Sequence, residues 1–227
     1  MTHVAHNSCK AAVDHRYWRS STVATGVYAM ELYYSLTSPY ARIVRIALLE
    51  KHLDDRVTHH VVDPWGDDPS LMQVNPATRV PTLITHDGTP ITESLLMVHY
   101  LEAVWPQPGL IPTIDRERTL SEAGLAVGMI DAAVHTLLGR KIGGAQFDAS
   151  PIGQRRTRAI NAALDRLEAQ SPAISGQLGA LTVAIALDYL DLRFPDMGWA
   201  VTRPQLARWH EAMEERESLS RTRPPRS

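Results

Sequence analysis

The stretch Glu31-Leu32-Tyr33-Tyr34-Ser35-Leu36-Thr37-Ser38-Pro39-Tyr40-Ala41-Arg42-Ile43-Val44-Arg45-Ile46-Ala47-Leu48-Leu49 decides the fold. Its first five residues are rich in β-formers and read as a short strand. Ser38-Pro39 then opens a helix, with serine suited to the cap and proline to the first helical position. Behind it Ile43, Ile46, Ala47 and Leu49 recur at helical spacing. The order is strand, then helix.

Outward from this unit, residues 56–62 carry Val57, Val61 and Val62 and predict a second short strand, followed by a polar, irregular stretch with Pro64, Gly66 and Pro69. Residues 82–85, the turn signal Asp87-Gly88 and Pro90-Ile91 predict a hairpin. Leu95, Val98, Leu101 and Val104 predict a helix that stops at Trp105-Pro106. Pro106, Pro108, Gly109 and Pro112 form the densest breaker cluster of the interior and mark a linker. Residues 30–107 therefore read as an α/β domain and residues 113–227 as an all-helical one. In the latter, helices are expected over 116–140, 151–169, 178–194 and 203–216. The third is apolar almost all round, as the buried centre of a bundle would be.

Composition narrows the function classes. The 227 residues hold 23 Lys+Arg against 25 Asp+Glu, a formal charge of -2, which argues against a nucleic-acid partner. No apolar run approaches the roughly 18 to 20 residues that span a bilayer, so no membrane partner is expected. The single cysteine, Cys9, excludes an internal disulfide framework and a multi-cysteine metal cage, and suits a reducing cytosol. Residues 1–29 lack the apolar core of a secretory signal and read as a disordered tail, or as the product of a misassigned start upstream of Met30. Cys9 lies in that tail and reads as an incidental thiol.

Three short motifs occur in order. They are Thr37-Ser38-Pro39-Tyr40-Ala41-Arg42, Asn75-Pro76-Ala77-Thr78-Arg79-Val80-Pro81 and Thr92-Glu93-Ser94. Together they resemble the glutathione transferase family, with similarity running from Met30 to the C-terminus. Tyr189-Leu190-Asp191-Leu192-Arg193-Phe194-Pro195 and the Arg-Thr-Arg-Pro-Pro ending at 221–225 resemble a small bacterial subgroup with a serine-type site. The resemblance implies a thioredoxin-like N-terminal domain before the helical bundle. It also implies a cytoplasmic homodimer with glutathione as co-substrate, acting in detoxification.

Residue by residue, the resemblance implies that Ser38 donates its hydroxyl to the glutathione thiolate. A cis peptide before Pro81 would turn the Val80 amide and carbonyl toward the cysteinyl backbone. Glu93 and Ser94 would grip the γ-glutamyl end, and Arg79 would meet the glycyl carboxylate. Each residue also has a plainer reading: Ser38 as an N-cap, Thr92 or Glu93 as a helix start, Arg79 as a solvated loop charge. Activation of the thiol for conjugation to a small electrophile, or for peroxide reduction, is the expected reaction. The alternative is a transferase-like binding or regulatory protein with little turnover. Without a cysteine outside the tail, thiol-disulfide exchange is disfavoured.

Evidence for the second substrate is thinner. Tyr40, Met129, Ala133 and Leu137 border a cleft or belong to the core, and Asp131 reads as a surface acid or as a contact to a partner subunit's glutathione. His59 and His60 point to opposite faces of a strand, and no metal is expected. Where many family members carry Ser/Thr-x-x-Asp at the start of the central helix, this chain has Gly176-Gln177-Leu178-Gly179, with Ser175 as the alternative cap.

Overall fold

The computed structural model describes residues 29–225. The expectations for the N-terminal tail and for Cys9 fall on residues outside those described. Strand β1, Met30–Tyr34, feeds helix α1, Pro39–Glu50; β2, Val57–Val61, returns parallel to β1. Helix α2, Pro69–Val74, precedes the hairpin of β3, Thr82–Ile84, and β4, Pro90–Thr92, and α3, Ser94–Val104, closes this half. The sheet order is β2-β1-β3-β4, with β3 antiparallel to both of its neighbours.

Helix α2 lies within the stretch expected to be irregular. Six residues are too few to show a helical period, but the local chemistry is that of a helix start. Asp68 Oδ1 accepts the Ser70 amide at 2.9 Å and the Leu71 amide at 3.4 Å, and Pro69 occupies the first turn. Leu71 is the residue it buries. The paired histidines follow strand alternation: His60 stacks on Tyr33 at 4.4 Å, while His59 meets Tyr34 edge-on and Asp54 at 3.2 Å.

The breaker cluster is pinned rather than loose. Buried Lys51 donates to Glu102 Oε1 at 2.5 Å and to the Pro108 carbonyl at 2.8 Å. The same Glu102 carboxylate accepts the amides of Leu110, at 3.0 Å, and Ile111, at 3.2 Å. Charge-assisted bonds of this kind are among the stronger ones, so the connection leaves α3 in a fixed direction.

The helical half comprises α4, Arg116–Gly143; α5, Pro151–Ala169; α6, Leu178–Arg193; α7, Trp199–Thr202; α8, Pro204–Glu214; and α9, Glu217–Arg221. Helix α6 is buried along nearly its whole length, as its uniform apolarity requires. Each buried Leu or Ile there contributes about 1.5 to 3 kcal/mol. Gly179 explains the departure from the usual capping box. A Cβ at this position would lie 2.6 Å from Glu122 Oε2 and 2.9 Å from the Thr119 carbonyl oxygen, so the close approach of α4 and α6 requires glycine. Ser175 Oγ accepts the Gln177 amide at 3.3 Å, in the turn ahead of the helix.

The two halves join through α1 and α6. Arg42 is buried, with Nη1 2.5 Å from Asp188 Oδ2, Nε donating to Thr222 Oγ1 at 3.1 Å and Nη2 to the Leu219 carbonyl at 3.0 Å. His210 Nε2 lies 2.9 Å from the other Asp188 oxygen. Among the described residues, Asp188, His210 and Glu214 bring ligand atoms within 4.8 Å of one another. Arg42 already supplies the cation there, which makes the cluster an ion-pair network.

Candidate functional site

A cleft of about 920 Å³ opens where the start of α1, the 75–82 loop and the start of α3 face the inner side of α4 and α6. Ser38, Arg79, Val80, Glu93 and Ser94 all reach its wall. A smaller recess of about 110 Å³ beside it adds Pro81 to the same group.

Ser38 caps α1: its Oγ accepts the Ala41 amide at 3.2 Å, and its carbonyl accepts the Arg42 amide at 3.0 Å. A hydroxyl has one hydrogen to donate and two lone pairs, so capping leaves the donor free for a group in the cleft. The two readings of Ser38, cap and thiol ligand, are chemically compatible. Thr37 also lines the cleft, whereas Tyr33 and Tyr34 lie buried in β1 away from its wall.

The 75–82 loop is held by one buried side chain. Asn75 Nδ2 donates to the Arg79 carbonyl and to Thr82 Oγ1, each at 3.0 Å, and its Oδ1 accepts the Ala77 amide at 3.0 Å. The Val80-Pro81 peptide is cis. Among the described residues, neither the amide nor the carbonyl of Val80 has a hydrogen-bond partner, so both remain available to an extended peptide lying in the cleft.

Glu93 begins α3 with φ of +67°, a conformation a non-glycine residue adopts only under constraint, and its side chain makes no capping bond. The leading amides of α3 are therefore open toward a carboxylate at the helix start, where the dipole favours an anion. Ser94 is buried at that position. Arg79 Nη1 stands 3.3 Å from Glu93 Oε1, both side chains being largely exposed. The structure thus brings the five cleft residues together and adds an Arg79–Glu93 contact that spacing alone does not reveal.

On the opposite wall, Tyr40 donates its hydroxyl to Asp131 Oδ1 of α4. Burial, and then the bond to Asp131, hold the Tyr40 phenol far above its usual range. Of the four residues read as cleft or core, Tyr40 and Leu137 line the cleft, whereas Met129 and Ala133 pack in the core. The face of α4 that lines it consists of Val127, Asp131, Val134, His135, Leu137 and Leu138. Trp65, on the loop before α2, and Tyr189 and Arg193, on α6, complete a wall that periodicity in α4 alone cannot find.

Comparison with known proteins fits this geometry. The family model for the glutathione S-transferase N-terminal domain matches residues 37–104. YibF, a GST-like protein of Escherichia coli (strain K12), is 30% identical over 207 residues, covering 87% of this chain and 100% of that relative. The chain belongs to the glutathione S-transferase family. Among solved glutathione S-transferases, it is similar to a family member from Pseudomonas fluorescens Pf-5 with bound glutathione, at 32% identity and a TM-score of 0.78 over 86% of this chain and 99% of that one. A glutathione S-transferase from Methylobacillus flagellatus KT with GSH bound gives 30% identity and 0.77, over 86% and 100%. The fold expected from the sequence, a mixed α/β domain followed by a helical one, is the fold observed.

Proposed function

We propose that this glutathione S-transferase binds glutathione along the start of α1, the 75–82 loop and the start of α3, and activates its thiol through Ser38. One observation carries the reading: a free hydroxyl donor, an unpaired Val80 backbone and an open helix start converge on one cleft. The Ser38 hydroxyl donates to the thiolate, the Val80 backbone pairs with the cysteinyl unit, and Glu93 and Ser94 receive the ammonium and carboxylate of the γ-glutamyl end. Arg79 exchanges its exposed contact with Glu93 for the glycyl carboxylate. Solved relatives with glutathione bound support the co-substrate.

A thiol near pKa 8.5 is mostly protonated at neutral pH, and each unit of lowering favours the thiolate by about 1.4 kcal/mol. Under this reading the thiolate attacks a small electrophile, or a peroxide, admitted to the apolar side of the cleft. The expectation of a cytosolic homodimer acting in detoxification rests on the family resemblance. Calorimetric titration of glutathione tests the reading: micromolar to millimolar binding, abolished by combined alanine substitution of Arg79, Glu93 and Ser94, supports it. Absence of binding at millimolar glutathione refutes it.

A further inference from the structure

Among the described residues, Arg193 meets the Tyr189 phenol through its guanidinium, but no acid. It is the last residue of α6 and lies on the cleft wall one turn after Tyr189, on the same helix face. Its Nε is buried and, among the described residues, without a hydrogen-bond partner. No carboxylate of the described residues pairs with its guanidinium, unlike those of Arg42, Arg79 and Arg140, which meet Asp188, Glu93 and Asp148. Of the three acids on the cleft wall, Asp131 is engaged by Tyr40 and Glu93 by Arg79, and Asp67, on the loop before α2, makes no ion pair with Arg193. A guanidinium on the wall of a cleft and without a carboxylate partner is available to an anion that enters it.

We propose that the electrophile taken by this cleft carries a carboxylate, and that Arg193 is the group that holds it. The proposal rests on the glutathione reading for the reaction, but the position of Arg193 on the cleft wall without a carboxylate partner is a separate observation. A guanidinium fork matches a carboxylate with two parallel bonds, which suits planar anion recognition. Val127, Val134 and Leu138 of α4 offer the apolar surface for the carbon body of such a molecule. Tyr189, whose phenol burial raises against a partial lowering by Arg193, stays protonated at neutral pH and supplies a second donor. The glutathione sulfur forms a bond to the electrophilic carbon, the leaving group departs with its electron pair, and the thiol proton passes to solvent.

The test compares chloronitrobenzoate, from which glutathione displaces chloride, with its methyl ester. In Arg193→Gln, kcat/KM for the acid should fall about tenfold through KM. The ester should change less than twofold, and glutathione affinity should stay as in the wild type. Arg193→Lys should recover part of the loss, which separates the anion contact from a packing defect. Equal losses on acid and ester, no loss on the acid, or weakened glutathione binding in Arg193→Gln would each overturn the proposal. Calorimetry with chloronitrobenzoate alone separates the two readings: Arg193-dependent binding without any glutathione binding would refute the thiol reading and keep the anion site.

Discussion

The Tyr40 hydroxyl donates to the Asp131 carboxylate across the cleft, tying the first turn of α1 to the middle of α4. Because burial and this bond keep the phenol protonated, Tyr40 is a donor at physiological pH and no base for a thiol. Tyr40→Phe should lower stability by about 1 kcal/mol in denaturant unfolding and leave the thiol pKa of bound glutathione unchanged. A raised thiol pKa in that variant would move thiol activation from Ser38 to Tyr40.

Glu93 combines a strained backbone with a proposed ligand role, and the two can be separated. Glu93→Gly relieves a φ of +67° and removes the carboxylate, so it should be at least as stable as the wild type in thermal unfolding. Glutathione affinity by calorimetry should nevertheless fall about tenfold, the order expected for one charge-assisted bond. Arg79→Ala should change stability by less than about 0.5 kcal/mol, because its pair with Glu93 is exposed.

The strand and helix order of the N-terminal half is legible because each element carries its own period, and the Ser38, Val80 and Glu93 motifs sit at its turns. Helix α2 is not, since one and a half turns cannot display a period. The second wall of the cleft is hidden for a different reason. In α4, core and cleft stripes are both apolar, so Met129 and Val127 look alike until α6 is packed against one of them. Arg193 is visible in sequence as a charge at a helix end within the 189–195 motif, and its lack of a carboxylate partner emerges from tertiary packing. The glycine at position 179 stands out as an irregular cap, yet its cause is the approach of Thr119 and Glu122, on a helix distant in sequence.

Gly179→Asp, which restores the family's capping residue, should destabilise the protein. Its Cβ would meet the Thr119 carbonyl at 2.9 Å, and a new carboxylate would sit beside Glu122. A loss of about 2 kcal/mol or more is expected in chemical unfolding, of the order of other overpacked core sites. A gain would show that the α4–α6 contact yields more readily than this spacing implies.

Asp188 makes the domain junction sensitive to acid. Burial pushes its carboxyl up, but the His210 bond and the Arg42 guanidinium together bring it below the usual carboxylate range. A depressed carboxyl contributes stability above its unfolded-state value, near pH 4, and loses it as pH falls through the folded-state value. Asp188→Asn should therefore cost about 3 kcal/mol at neutral pH and flatten the acid limb of the stability profile. An unaltered acid limb would assign the acid sensitivity to other groups.

Ser38 carries the central claim, and Ser38→Ala tests it. The lost cap should cost about 1 kcal/mol, small enough for the variant to fold. The decisive measurement is the ultraviolet thiolate absorbance of bound glutathione, titrated against pH in wild type and Ser38→Ala. The account predicts a thiol pKa below that of free glutathione in the wild type and a rise of about one unit or more in the variant. Identical titrations at full occupancy would contradict it.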